Sequence, residues 1–207
     1  MAHVIAVIVG YLLGSIPFGF LMGKWMGIDL RVAGSGNIGA TNALRILGKP
    51  AGIAVLALDA LKGASACWLA PVVAGLVLET VPAGSLAMVT GGFAAVLGHN
   101  YTCWLRFKGG KGIATSAGVL LALTPGGLAA SLSTFLILLA LTRTVSIGSI
   151  GAAIVMPIGT WLSGGSRLLV GVTIVMGVLA IYKHRANITR LLAGTEPRLG
   201  TKKTGGS

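Results

Sequence analysis

Between two apolar segments the chain reads "AGSGNIGATNALRILG", residues 33–48, which gathers Ser35, Gly36, Asn37, Gly39, Thr41, Asn42 and Arg45. Successive glycine amides can form a nest for an anion. A helix starting near Thr41 would aim its first amides at a phosphate, and Arg45 could clamp phosphate oxygens in a bidentate pair. In such a helix Asn42 and Arg45, three residues apart, would share roughly one face. A tight interhelical turn with a helix cap accounts for the same letters. A second stretch, "FKGGKGIATSAG" at 107–118, sets Lys108 and Lys111 around Gly109 and Gly110, before another helix start. Its spacing is not that of a Walker A loop. Two phosphate-type cradles suggest two phosphorylated ligands, or one ligand with a long charged transition state.

Other polar groups leave both a chemical and a structural reading open. His99, followed by Asn100, could act as general acid or base, or sit as an interfacial structural residue. Ser146 and Ser149 in "TRTVSIGS" could donate to an anion or cap a helix. "HRANITRLLAGTE" offers His184, Asn187, Arg190 and Glu196, or simply a short interfacial helix. Asp59 and Lys62, three residues apart in an apolar run, are read as a structural ion pair near the site, because either charge alone would be costly there, with direct ligand contact as the alternative. No ligand spacing for zinc, haem or iron–sulfur occurs, and no G-x-S-x-G elbow. With four acidic residues in all, a magnesium-dependent phosphotransfer site has little to work with. An already activated, phosphorylated donor fits this inventory, since it needs positioning and charge stabilisation more than a protein nucleophile.

The elements that must hold these groups are apolar. Of 207 residues, 55% are hydrophobic and 10% charged, and mean hydropathy is +0.91. That excludes disorder and argues against a soluble globule; 33 glycines suit close helix packing in a bilayer. The expected class is an all-α polytopic membrane protein, one membrane-embedded domain over 1–207 with a basic tail at 183–207. Spans are expected at 3–23 (broken at Pro17), 50–78, 85–98 (with Pro82 and Gly84 beginning it slightly earlier), 147–162 and 167–182. Residues 113–141, with a Thr-Pro-Gly-Gly turn at 124–127, read as two short helices or a re-entrant pair. The first segment lacks a basic n-region and a convincing cleavage site, so it is expected to be retained. Cys67 and Cys103 form neither a metal pattern nor a disulfide framework.

The net charge of +12 could suggest nucleic acid, but its distribution favours a membrane. Fourteen of the sixteen Lys and Arg residues fall on one side of the expected spans, leaving Arg167 opposite and Lys62 within a span. With seven spans, that asymmetry puts the N-terminus outside and the C-terminus in the cytoplasm. The polar segments 33–48, 99–112, 143–149 and 184–196 then open on the cytoplasmic side.

Three segments carry a family resemblance. "GSIPFGFLMGKWMGIDLRVAGSGNIGATNALRILG", "GHNYTCWLRFKGGKGIAT" and "HRANITRLLAGTE" resemble, in order, three signatures of the bacterial acyl-phosphate:glycerol-3-phosphate acyltransferases. The resemblance implies acyl transfer from acyl phosphate to glycerol 3-phosphate, giving lysophosphatidic acid and phosphate at the cytoplasmic face of the plasma membrane. It implies seven spans, no cofactor or metal, no required protein partner, and no partner beyond the two substrates and membrane lipids. Ser35, Gly36, Asn37, Thr41, Asn42 and Arg45 match the first signature, and His99, Asn100, Lys108, Gly109, Gly110 and Lys111 the second. Asn187 and Glu196 match the third, while Ser146 and Ser149 match polar positions between later spans. Ser35, Asn37, Arg45, His99, Asn100 and Lys108 are assigned to catalysis and Gly36, Gly39, Thr41, Asn42, Gly109, Gly110, Lys111, Ser146, Ser149, Asn187 and Glu196 to substrate binding. Deprotonation of the acceptor is assigned to the substrate's own phosphate, with His99 orienting by hydrogen bonds. Cys103 and Trp104 stand where the family often has an aromatic residue beside leucine. Without the resemblance, an organophosphate transporter and a non-catalytic lipid-binding protein fit the same composition.

Overall fold

The computed structural model describes residues 1–78 and 85–200; Pro82 and Gly84, Lys202 and Lys203 lie outside them. Among the described residues the secondary structure is helical: α1 Ala2–Ser15, α2 Phe18–Trp25, α3 Ala40–Leu47, α4 Lys49–Leu78, α5 Ser85–Asn100, α6 Ile113–Leu123, α7 Pro125–Thr142, α8 Val145–Leu162, α9 Arg167–Lys183 and α10 Arg185–Leu192, with a 3-10 turn at Cys103–Leu105. The chain divides into two compact units, Met1–Pro125 and the remainder from Gly126.

Among the described residues, four segments are long and apolar enough to cross a membrane: Ala2–Trp25, Lys49–Val77, Pro125–Thr142 and Val145–Leu162. The pair Arg167–Lys183 and Arg185–Leu192, bent by 55°, would make a fifth. Large apolar side chains face outward along these helices, Leu76 at 76% and Leu141 at 77% exposure. Such surfaces suit lipid rather than water.

In the first unit, helices meet where side chains are missing. A Cβ on Gly10 would strike the Gly91 carbonyl, and one on Gly14 the Ala95 carbonyl, so α1 and α5 touch backbone to backbone. Gly63 and Gly118 stand in the same relation to Thr115 and Ala60 across α4 and α6. Apolar attraction between helices is weak in lipid, so close contact through small residues carries the association. Beside this bundle, Leu30, Ala43, Leu47, Ala51 and Val55 form a buried apolar cluster flanked by Met22 and Ile28. It docks α3 and the loop before it on the start of α4.

In the second unit several hydroxyls are satisfied on their own helices. Ser131 donates to Gly127 O, Thr134 to Ala130 O and Thr160 to Met156 O, at 2.8–2.9 Å. Each thereby hides a polar group that lipid could not solvate.

Several boundaries differ from the hydropathy reading. The first apolar segment does break at Pro17 as expected, α1 ending before Ile16 and α2 starting after Pro17; the differences lie further along the chain. The polar stretch 24–49 contains α3, whose Ala43 and Leu47 have an apolar cluster to join. His99 and Asn100 belong to the last turn of α5 rather than to a loop. Thr124 alone separates α6 from α7, and Pro125 opens α7, where its missing N–H costs nothing. The expected four-residue turn at 124–127 is therefore a helix start.

Candidate active site

The loop before α3 is held open by one buried amide. Asn42 is 1% exposed; its Oδ1 accepts from Ser35 N at 2.9 Å, and its Nδ2 donates to Leu30 O at 3.2 Å and Ala33 O at 3.0 Å. Gly34 and Gly36 turn through left-handed backbone, φ +60 and +70, which glycine adopts without strain. Asn37 Oδ1 accepts from Gly39 N at 2.8 Å and closes a second small turn. The result displays Ser35, Gly36 and Arg45 to solvent, with Asn37, Gly39 and Thr41 half-buried. Asn42, expected among the phosphate-binding groups and on one face with Arg45, is turned inward and fully occupied by the loop, whereas Arg45 is exposed.

Nearby, Asp29 pairs with Arg31 at 2.6 Å, and the Arg31 guanidinium lies 4.7 Å from the Phe20 ring centroid. The hydrogen-bonded Arg31 side chain holds the Asp29 carboxyl down at about 2.

The glycines of the second cradle serve a close approach. Gly110 N donates to His99 O at 3.0 Å and Gly109 N to Asn100 O at 3.2 Å. A Cβ on Gly110 would run into His99 Nε2, one on Gly109 into His99 O, and one on Gly112 would lie 2.7 Å from Asn100 Oδ1. Arg106 and Phe107, both at positive φ, swing the chain back onto α5, leaving Lys108 exposed and Lys111 half-buried on either side of the turn.

Beneath these loops lies a buried polar cluster. Asp59 is 2%, Lys62 5% and His99 5% exposed. Lys62 Nζ stands 2.8 Å and His99 Nδ1 3.5 Å from the same Asp59 oxygen, Oδ1. Lys62 also donates to Ile16 O at 2.8 Å, and Thr102 Oγ1 donates to Ser15 O at 2.6 Å. These carbonyls belong to the break at Pro17, where a proline cannot supply the N–H that would continue the helix. Asp59, Lys62, His99 and Thr102 line a small pocket with Pro17, Gly19 and Ile38. Ile38 adjoins Asn37, so the pocket underlies both loops.

The remaining sequence-predicted groups form their own constellation in the second unit. Glu196 Oε1 accepts from Ser146 Oγ at 2.8 Å and from Asn187 Nδ2 at 2.6 Å. Its Oε2 pairs with Arg190 Nε at 2.7 Å. Burial alone would raise this carboxyl, but the hydrogen bonds from Asn187, Ser146 and Arg190 outweigh it and hold Glu196 below its ordinary 4.5. Ser149 is buried on α8, and His184 Nδ1 lies 2.7 Å from Ala180 O. Leu199 N donates to Arg143 O at 2.7 Å, so the tail folds back beside a cleft of about 410 Å³ lined in part by Thr142, Thr144, Ile147 and Arg198.

Thr102 and the Ile16 carbonyl were not legible as participants from residue type. A signal existed in the helix end at Pro17, since the last carbonyls of any helix need donors from elsewhere.

A family model described as glycerol-3-phosphate acyltransferase matches residues 4–194. A glycerol-3-phosphate acyltransferase of Thermosynechococcus vestitus is 44% identical over 95% of this chain and 94% of its own length. One from Geobacter sulfurreducens is 46% identical over 95% and 97%. Two crystal structures of PlsY (YgiH), an integral membrane glycerol 3-phosphate acyltransferase, also match. Its glycerol 3-phosphate form superposes with a TM-score of 0.87 at 42% identity, and its lysophosphatidic acid form with 0.85 at 41%, each covering 97% of both chains.

Proposed function

The chain belongs to the glycerol-3-phosphate acyltransferase family, and we propose that its acyl donor is an acyl phosphate. It is an integral membrane acyltransferase of glycerolipid synthesis. In the proposed reaction the sn-1 hydroxyl oxygen of glycerol 3-phosphate attacks the acyl carbonyl carbon. The new ester bond forms, the bond from that carbon to the phosphate oxygen breaks, and inorganic phosphate leaves with the electron pair. The hydroxyl proton passes to a phosphate oxygen of the substrate. The products are lysophosphatidic acid (1-acylglycerol 3-phosphate) and phosphate.

The observation that carries this reading is the whole-length likeness to a protein crystallised in glycerol 3-phosphate and lysophosphatidic acid forms. The donor follows from chemistry: phosphate is a good leaving group, and the exposed groups here are hydrogen-bond donors and cations rather than a protein nucleophile with a base. Ser35, Asn37 and Arg45 bind one phosphate and the developing oxyanion; Lys108 and Lys111, set on either side of the Gly109–Gly110 turn, bind phosphate beside them. His99 and Asn100 shape that turn. Removing one such donor would slow turnover by about 10²–10³-fold. Within the second unit, Ser146, Ser149, Asn187 and Glu196 are assigned to substrate binding. The fatty chain lies among apolar helices while both phosphates meet at the polar loops.

The topology proposed with it is a single domain of seven spans, N-terminus outside, with the active site and the basic tail from 183 on the cytoplasmic side of a bacterial plasma membrane. The one-sided distribution of Lys and Arg supports that orientation. No cofactor and no protein partner is required.

The test is product analysis by the purified protein in detergent, with glycerol 3-phosphate and either palmitoyl phosphate or palmitoyl-CoA. Lysophosphatidic acid and phosphate should appear in equal amounts with palmitoyl phosphate alone as donor. Product from the CoA ester at a comparable rate would overturn the donor assignment. Glycerol 3-phosphate uptake into vesicles without product would replace catalysis by transport.

A further inference from the structure

Asp59 was read above as half of an ion pair, yet its geometry reaches further than Lys62. The oxygen that faces Lys62 also faces His99 Nδ1, from a different helix, at 3.5 Å. The other ring nitrogen of His99 packs against the backbone of Gly110 so tightly that no Cβ fits there. The same residue's carbonyl takes the Gly110 amide at 3.0 Å. Ring and backbone of His99 therefore bracket the turn that separates Lys108 from Lys111. With His99 5% exposed, the ring is fixed by its neighbours, and Asp59 is the carboxylate on its inner side. An ion pair serving stability alone would need Lys62 only.

We infer that Asp59 is a positioning residue for phosphate recognition: it orients the His99 ring, and through it the Gly109–Gly110 turn that carries Lys108 and Lys111 to the phosphate group of a substrate. This rests on the acyltransferase reading for the identity of that substrate, glycerol 3-phosphate or acyl phosphate. A carboxylate fixing the far side of an imidazole sets the ring's tautomer and orientation in many sites. Here the ring's working face is a backbone turn.

The experiment compares wild type, Asp59→Asn, and Asp59→Asn/Lys62→Gln. The single variant leaves Lys62 charged and unpartnered in the core, which by itself destabilises. The double variant removes both charges while Gln can still donate to the Ile16 carbonyl. For each, the thermal midpoint, kcat, KM for both substrates and glycerol 3-phosphate binding by calorimetry are measured in the same detergent. The expected result is a KM for one substrate raised about tenfold, with kcat within about threefold, a split that marks lost ground-state binding. That split should persist in the double variant after its thermal midpoint recovers. Which KM moves assigns the turn to glycerol 3-phosphate or to the acyl phosphate. The inference is overturned if both KM values stay put, if kcat alone falls, or if the KM defect disappears together with the stability defect. A wild-type protein that binds glycerol 3-phosphate but makes no lysophosphatidic acid removes the catalytic reading. The binding constants of the variants then still decide the role of Asp59, unchanged affinity overturning it.

Discussion

Two buried carboxylates organise the two units, and they do so by opposite means. Asp59 faces an ammonium and an imidazole inside the apolar bundle, with 2.8 Å to Lys62 and 3.5 Å to His99. Glu196 lies beyond the last helix and is held by a hydroxyl, an amide and a guanidinium, all within 2.8 Å. The first relies on charge balance where water cannot help. The second relies on a full set of directed donors beside a cleft, where any one donor can be lost and water can enter. A carboxylate deep in a bundle is therefore a stability liability unless paired, whereas one at the edge is a latch.

Substitutions can break or sharpen that contrast. Lys62→Met leaves Asp59 without its cation and should cost about 3–5 kcal/mol, read as a large drop in thermal midpoint in detergent. Glu196→Gln keeps an acceptor for Ser146 and Asn187 but removes the charge opposite Arg190. Its expected cost is about 1–3 kcal/mol by the same assay. Equal losses in the two variants would erase the distinction.

Acid sharpens it further. Because the folded Glu196 carboxyl is held below its ordinary 4.5, its contribution is complete above that value. It is lost as pH falls from there through the folded pKa. Thermal midpoints measured across that acid range should decline in wild type, and Glu196→Gln should remove part of the decline. A decline of undiminished size in the variant would assign acid sensitivity elsewhere. The smallest effect belongs to a third carboxylate. Asp29 pairs with a half-exposed Arg31, and such surface pairs add little. Asp29→Asn should leave the midpoint within experimental scatter; a clear shift would mean that the Phe20–Arg31 stack depends on it.

What could be read in advance follows distance along the chain. The long apolar runs announced α4 and α8, and Asp59 with Lys62 were visible because a helix brings residues three apart together. The polar loops stood out by composition, and so did Arg45 and Lys108. Hidden from that reading were bonds between remote segments: Ser146 to Glu196, Thr102 to Ser15, His99 to Asp59. Asn42 shows the other limit. Its type and place suited a ligand contact, but only the folded loop reveals that Leu30, Ala33 and Ser35 use all of its amide. Likewise the glycines at 109, 110 and 112 looked like freedom for a ligand and prove to be room for His99 and Asn100.

The break at Pro17 has a consequence for synthesis. The Ser15 carbonyl emerges early, but its donor, Thr102, is encoded far downstream; the Ile16 carbonyl accepts at once from the Phe18 amide and later gains Lys62. The glycine groove of α1 likewise waits for Gly91 and Ala95 of α5. A nascent chain that stops short of Thr102 holds a first span whose kink is half satisfied and whose packing face is bare. Maturation of the amino-terminal end is thus timed by the arrival of the segment that also brings the His99 turn, so the oldest part of the chain is among the last to settle.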